Sequence, residues 1–126
     1  MGTKISISWK KSTQRRKQRK YRYNAPLHIK QKFVRAHFSK ELRKKYNKRS
    51  MGLRKGDNVK VMRGEFRGKQ GKVEEVNLRK TWVYVSGMEV SKKDGTKTRY
   101  PLHPSNLLIT ELNLDDKIRN KSLERK

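Results

Sequence analysis

The chain has 126 residues, enough for one domain with an extension. It carries 36 Lys and Arg residues against 11 Asp and Glu residues, a net charge of +25, and only 31% of it is apolar. So few apolar residues cannot supply a core along the whole length, and part of the chain is expected to order only against a polyanion. No apolar run is long enough for a membrane span, so we expect no membrane insertion. There is no cysteine, which excludes disulfides and thiolate sites and fits a reducing, cytoplasmic setting.

The positive charge is concentrated in the first half of the chain. Residues 1–55 contain 20 Lys and Arg residues and one acid, Glu41, whereas residues 56–126 contain 16 and 10. We therefore predict that residues 1–23 form an extended basic arm that is disordered in isolation. A solvated surface usually mixes both signs. A membrane-binding segment needs an apolar face, which residues 10–24 lack. The charge pattern accordingly favours a nucleic acid as the partner.

Residues 24–52 are predicted to form short helices that pack on RNA and on the domain that follows. Asn24 is suited to cap the first helix, and Pro26 is tolerated in its first turn. Ser39 is suited to cap a second helix that ends near Asn47. The apolar positions assigned to the first helix are Leu27, Ile29, Phe33, Val34 and Ala36.

Residues 53–110 contain short segments with the alternating pattern of half-buried strands. The clearest is Thr81–Val85, and the doubled acid Glu74-Glu75 indicates either a bulge in an earlier strand or the end of that strand. Short strands at this spacing imply a small β-barrel. Residues 111–126 are predicted to form a weakly held helical tail on Leu114, Ile118 and Leu123. The valines assigned to the barrel core are Val59, Val61, Val73, Val76, Val83 and Val85.

A glycine-containing motif over residues 56–73 indicates which protein families the chain resembles. Its pattern, Gly-Asp-x-Val-x-Val-x-x-Gly-x-Phe-x-Gly-x-x-Gly-x-Val, resembles the KOW motif of ribosomal proteins and of transcription elongation factors. The flanking Asn24-Ala25-Pro26, Ser39–Tyr46 and His103–Asn106 segments are similar to one family among these. It is the large-subunit ribosomal protein called number twenty-four in bacteria and archaea and number twenty-six in eukaryotes, in its archaeal–eukaryotic form.

The resemblance implies a fold, a function and partners. The fold is a mainly β, SH3-like barrel with a basic extended or helical N-terminal extension and a short C-terminal helix. The function is that of a structural constituent of the large ribosomal subunit that binds its rRNA. The family binds early in assembly and lies near the exit of the peptide tunnel. Neighbouring ribosomal proteins and a single copy per subunit are further expectations, and no cofactor is implied.

Basic residues suit this partner because RNA exposes phosphates and 2′-hydroxyls and hides its major-groove base edges. Arg matches a phosphate with two parallel hydrogen bonds, and Lys supplies a mobile point charge. The residues predicted to contact rRNA are Arg15, Arg16, Lys17, Arg19, Lys20, Tyr21, Arg22, Tyr23, Asn24, His28, Lys30, Lys32, Arg43, Lys44, Lys45, Lys48, Arg49, Arg54, Arg63, Gly64, Phe66, Arg67, Gly68, Lys69, Gly71, Lys72, Arg79, Lys80, His103, Ser105 and Asn106.

Several of these residues have a second interpretation. Tyr21 and Tyr23 either stack on unpaired bases or pack on the protein. The three loop glycines either admit a phosphate close to backbone N–H groups or only permit a tight turn. Phe66 either anchors that loop or faces RNA. Asn106 either bonds to RNA or caps a turn.

Catalysis and metal binding are not expected. The histidines are scattered, and no acid lies at a ligand spacing beside them. No nucleophile, phosphate-loop or zinc-protease motif is present, so we predict that the chain is not an enzyme. A transcription elongation module and a disordered nucleic-acid chaperone are the alternative classes. The highly basic first half argues against the former, and the well-patterned strands argue against the latter.

Overall fold

A computed structural model describes residues 11–125, in which there are four α-helices and eight strands. The helices are α1 (Arg15–Asn24), α2 (Leu27–Phe33), α3 (Lys40–Tyr46) and α4 (Lys117–Glu124). The strands are β1 (Arg35–Phe38), β2 (Ser50–Gly52), β3 (Asn58–Val61), β4 (Gln70–Asn77), β5 (Trp82–Val85), β6 (Glu89–Ser91), β7 (Lys97–Arg99) and β8 (Leu107–Glu111).

Six strands form one sheet in the order β2-β1-β8-β3-β4-β5, and β6 pairs with β7 as a separate hairpin. Strands β1 and β8 are parallel, and the other pairs are antiparallel. A small sheet-rich domain is therefore confirmed. The closed barrel is not, since no pairing joins β2 to β5 within residues 11–125. Helices and strands each take up about 30% of the chain, so the fold is mixed, whereas a mainly β fold was predicted.

The core is built from alternate residues of the strands, because successive side chains point to opposite faces of a sheet. Val59, Val61, Val83 and Ile109 are all fully buried. Burying one such side chain contributes roughly 1.5–3 kcal/mol. The predicted core valines are confirmed, with Val76 half-buried against the others.

The strand β1 was not predicted, and it corrects the helix assigned to this region. Helix α2 ends at Phe33, and Val34 and Ala36 are core residues before and within β1. Phe38 of β1 lies beside Ile109 in the parallel pair with β8. The compact domain thus includes residues well before position 53, where its start was predicted.

The basic arm is helical over much of its length, which corrects the extended conformation predicted for it. Helix α1 contains only Arg, Lys, Gln, Tyr and Asn, most of them good helix formers, and it has no buried residue. Asn24 is the last residue of α1 and does not cap α2, whose N-cap is Pro26. The part of the predicted arm before residue 11 lies outside the described residues.

The predicted start and end of α3 are confirmed. The Ser39 side chain accepts a hydrogen bond from the Leu42 amide, and Asn47 ends the helix in the left-handed conformation with φ 52°. Of the two alternatives at Glu74-Glu75, the bulge is confirmed and the strand end is wrong, because the register of β4 against β5 shifts between Val73 and Glu75 and β4 continues to Asn77.

Helix α4 is held more firmly than predicted. Of its three predicted apolar positions, only Leu123 is buried, whereas Leu114 lies before the helix and is partly exposed and Ile118 is exposed. The firm attachment comes from Arg119, which is 3% exposed and bonded to the carboxylate of Asp57.

Candidate nucleic-acid interface

One face of α1 carries a row of uncompensated positive charge. Arg15, Arg19 and Arg22 follow one another at helical spacing and line one shallow surface with Gln18. All three arginines are exposed, and none is paired with a carboxylate in the described part of the chain. Such a row attracts a polyanion along the helix axis.

A cleft of about 480 Å³ lies where the two N-terminal helices meet the turn between β4 and β5. Lys30 Nζ donates to the carbonyl oxygen of Arg79 at 3.3 Å, which ties α2 to that turn. No acidic side chain lines the cleft. Its lining residues come from four separate stretches of the chain: Arg22, Tyr23, Lys30, Phe33, Arg79, Thr81, His103 and Ser105.

The structure separates the roles of the two tyrosines of α1. Tyr21 is half-buried and meets Phe33 edge to face, with ring centroids 6.2 Å apart. Tyr23 is 83% exposed and lines the cleft. Packing thus accounts for Tyr21, whereas Tyr23 presents a ring that is open to a base.

The loop before β8 presents polar groups to the same cleft. His103 Nδ1 lies 2.7 Å from Ser105 Oγ and accepts a hydrogen bond from the Ser105 amide. Asn106 accepts a hydrogen bond from the Met62 amide through its carbonyl oxygen at 2.8 Å. Asn106 therefore connects this loop to the start of the glycine loop and is not among the cleft residues.

The glycine loop is a turn anchored in the core. Gly64 and Gly68 have φ values of 94° and 87°, which favour glycine. Phe66 is 6% exposed and packs on Tyr100, so its ring is the anchor of the loop and is not open to a base. Arg63 and Arg67 are exposed on either side of it.

Gly71 lies in β4 and has a steric role. A Cβ atom at this position would come within 2.6 Å of the Ser86 carbonyl oxygen and 2.8 Å of Val85 Cγ1. The close approach of β4 to β5 gives this glycine a structural reason, and a phosphate contact at it stays a prediction.

Some of the predicted RNA-binding cations are engaged with the protein itself. Arg54 pairs with Asp116, Lys48 donates to the Ser122 carbonyl, and Arg43 Nε donates to the Phe38 carbonyl at 3.1 Å. Lys72 lines a different cleft, together with Glu74 and Glu75, in surroundings of mixed charge.

Other predicted residues remain on the surface outside the cleft. Lys69 Nζ lies 5.1 Å from the centre of the Phe66 ring, and Lys80 Nζ lies 5.0 Å from that of Trp82, both within reach of a cation–π contact. Asn24 is half-buried. The exposed ones are Arg16, Lys17, Lys20, His28, Lys32, Lys44, Lys45 and Arg49.

Sequence reasoning did not assign two residues of the cleft, Phe33 and Thr81, to the site. Phe33 was recognised only as an apolar helix position. Thr81 was assigned to a strand, but it has φ 57° and belongs to the turn before β5. No local pattern indicates this, since a threonine seldom adopts a left-handed conformation.

Two carboxyl groups have displaced pKa values, and neither lines the cleft. The side-chain hydrogen bond from Thr96 lowers the pKa of Asp94, and the Ile118 amide lowers the pKa of Asp116. Within the described residues, no group of three potential ligands is placed to hold a metal ion. None of the helices described is long and apolar enough to cross a membrane.

The sequence profile of one ribosomal protein family, which comprises the eukaryotic L26 proteins and their archaeal L24 counterparts, matches residues 12–126. The chain belongs to this family. The predicted resemblance is confirmed, and membership makes the chain a large-subunit ribosomal protein of archaeal type, found in the cytoplasm and structural rather than enzymatic. As such it is part of the ribosome, together with rRNA and other ribosomal proteins.

Curated archaeal relatives match this ribosomal protein over nearly their whole length, and each is named large ribosomal subunit protein uL24. That of Methanosphaera stadtmanae is 50% identical over 115 residues, which cover 91% of this chain and 98% of the relative. That of Methanothrix thermoacetophila is 51% identical over 114 residues, covering 90% and 98%. That of Methanocella arvoryzae is 50% identical over 115 residues, covering 91% and 93%.

Proposed function

We propose that this chain binds large-subunit rRNA directly, through phosphate contacts of the basic α1 face and of the cleft beside it. The observation that carries the proposal is the convergence of Arg22, Lys30 and Arg79 from three separate elements on one cleft that no acid lines. Arg63 and Arg67 add two exposed cations on the glycine loop.

The family resemblance also predicts when the chain binds during ribosome assembly and where it lies on the large subunit. A single copy binds near the 5′ end of the large-subunit rRNA, early in assembly, and lies close to the exit of the peptide tunnel. A protein that joins several RNA segments early needs backbone contacts more than base-specific ones, because phosphate contacts fix position in any sequence. The distribution of cations over α1, α2 and two loops suits that task.

Sedimentation of a cell lysate after a salt wash tests the proposal. In roughly 0.5 M salt the Debye length is only about 4–5 Å, so loosely held basic proteins are released. We expect the chain to remain with the large subunit. Release to the top of the gradient, or movement with RNA polymerase, would contradict an integral position in the subunit.

Footprinting on rRNA that carries no other protein tests both whether the chain binds the rRNA directly and where on the rRNA it binds. The purified chain should protect a site in the 5′ region of the large-subunit RNA without any other protein. A variant with Arg22, Lys30 and Arg79 replaced by Gln should lose that protection, whereas one with Lys92, Lys93 and Lys97 replaced by Gln should retain it. Equal protection by both variants would remove the cleft from the proposed contact surface.

A further inference from the structure

We propose that the cleft beside α1 accepts a single unstacked nucleotide of the bound RNA. Its base would stack on the ring of Tyr23, and its flanking phosphates would lie among Arg22, Lys30 and Arg79. This inference rests on the proposed RNA binding and adds the kind of RNA feature that the cleft recognises.

The dimensions of the cleft favour one nucleotide. At about 480 Å³ it lies toward the lower end of the range for small-molecule sites, which is roughly 300–1,000 Å³. A regular RNA helix presents its phosphates and sugars on a convex surface and keeps its bases stacked inside. A base therefore enters a concave site only after it leaves the stack, as in loops and bulges.

The aromatic lining supplies a surface for stacking. Tyr23 is 83% exposed, whereas the neighbouring Tyr21 packs on Phe33. Residues two apart on a helix do not face each other, so the two tyrosines have different surroundings. The Tyr23 ring is among the large apolar groups left on the surface of the described chain, and no aromatic ring within residues 11–125 packs on it.

The polar lining supplies contacts for the rest of a nucleotide. Lys30 is held at the cleft by its hydrogen bond to the Arg79 carbonyl, so a cation is already in place for a phosphate. His103 and Ser105 also line the cleft and bring an imidazole and a hydroxyl, both suited to a base edge or a 2′-hydroxyl.

A second cleft lacks the combination of unopposed positive charge and an exposed aromatic ring. The larger cleft of about 1,000 Å³ also contains cations, Lys55, Lys72 and Arg99, but Glu74 and Glu75 line it too. No aromatic ring lines that cleft. Net positive charge and an exposed ring occur together only in the α1 cleft, among the clefts described for residues 11–125.

Two RNA hairpins that differ in one nucleotide test the proposal. One contains a single 2-aminopurine as an unpaired bulge, and the other has the same base paired within the stem. We expect the full chain to bind the bulged hairpin roughly 5- to 150-fold more tightly, which is the range of about 1–3 kcal/mol for stacking one base on an aromatic side chain. The 2-aminopurine fluorescence should fall on binding only in the bulged hairpin.

Variants of Tyr23 test whether its ring causes the preference for the bulged hairpin. Tyr23→Leu should abolish both the preference and the fluorescence change, whereas Tyr23→Phe, which keeps the ring, should retain them. Neither variant should alter unfolding, because the side chain is exposed. The readout is the ratio of the two hairpin affinities, since both variants keep every cation of the parent chain.

The outcomes separate this inference from the proposed function. Equal, salt-dependent binding of both hairpins, with no effect of Tyr23→Leu, would overturn the nucleotide site and leave RNA binding in place. Polyglutamate of equal charge serves as a competitor that has no bases. If it displaced the bulged hairpin as effectively as the unlabelled hairpin does, the cleft would respond to charge alone and the nucleotide site would be overturned. Failure to bind either hairpin or the rRNA at about 0.1 M salt would overturn the proposed function and this inference with it.

Discussion

Arg119 of α4 and Asp57, which precedes β3, form a buried ion pair with two hydrogen bonds of 2.6 and 2.7 Å. Arg119 also donates to the carbonyl oxygens of Asn113 and Gly52, and Asp57 also accepts from the Arg54 and Asn113 amides. The pair therefore joins the C-terminal helix to the sheet through a shared polar network. Asp57 is the Asp of the KOW pattern, so the motif residue serves the fold.

Removal of Arg119 should destabilise the protein strongly. Arg119→Met leaves the Asp57 carboxylate buried without its partner, and breaking a buried pair in this way costs about 3–5 kcal/mol. Urea unfolding at pH 7 measures the change. The matched control is Arg125→Met, just after α4 and exposed, for which we expect a change within about 0.5 kcal/mol. Similar unfolding midpoints for the two variants would show that the pair does not hold α4.

The N-cap of α4 should make stability depend on pH. The hydrogen bond from the Ile118 amide lowers the pKa of Asp116 in the folded state. The ionised cap therefore stabilises the folded state fully above the unfolded pKa of about 3.9. This stabilisation is lost as the pH falls through the lower pKa of the folded state. Asp116→Ala should therefore lower the urea midpoint more at pH 6 than at pH 3. The neighbouring Asp115→Ala serves as the control and should change neither midpoint appreciably. A constant effect of Asp116→Ala at both pH values would contradict the role of its charge.

Charge on α1 should determine the salt dependence of RNA binding. If the whole chain neutralises about eight phosphates, the log–log slope of affinity against salt should be about −6 to −7. Replacing Arg15, Arg19 and Arg22 by Gln should reduce its magnitude by about 2–3. Replacing Lys92, Lys93 and Lys97 by Gln removes the same charge from the β6–β7 hairpin and should leave the slope almost unchanged. Filter binding across a salt series gives both values, and equal slopes would mean that only net charge matters.

The helical form of α1 should matter to binding apart from its charge. The Gln18 amide donates to the Gln14 carbonyl at 3.1 Å, and Gln18→Pro removes that bond without changing any charge. Proline inside a helix costs about 3 kcal/mol, which limits the loss of RNA affinity to roughly 150-fold. The sheet should unfold as before, because α1 has no buried residue. Gln18→Ala is the control, and equal affinities for the two variants would favour the extended arm that the sequence predicted.

A methyl group at Gly71 should weaken the sheet and leave the RNA contacts intact. Gly71→Ala forces β4 and β5 apart at the Ser86 carbonyl, and overpacking of this kind costs about 1–3 kcal/mol. Gly64→Ala meets no neighbouring atom within 4 Å and is strained only by its φ of 94°. Unfolding and RNA binding should be measured on both variants. Loss of RNA affinity in Gly71→Ala without loss of stability would restore the predicted phosphate contact at this glycine.

Local patterns in the sequence were enough to predict several of the strands, helix ends and turns. Alternation of valines identified β3 and β5, Ser39 and Asn47 marked the ends of α3, and the doubled acid located the bulge in β4. Each of these depends on residues a few positions apart, whose spacing reflects the geometry of one strand, helix or turn. The charge asymmetry between the two halves, and with it a polyanionic partner, was likewise evident from composition alone.

Tertiary structure decided the features that join distant residues. The four-residue strand β1 is held between β2, with which it is antiparallel, and β8, a parallel neighbour about 70 positions later in the chain. Arg119 looks like one more surface cation until the fold buries it against Asp57. The cleft is made from residues 22–33, 79–81 and 103–105, which meet only when the sheet brings the two loops beside the N-terminal helices. Such contacts leave no periodic trace, because their stability comes from packing and pairing between segments far apart in the chain.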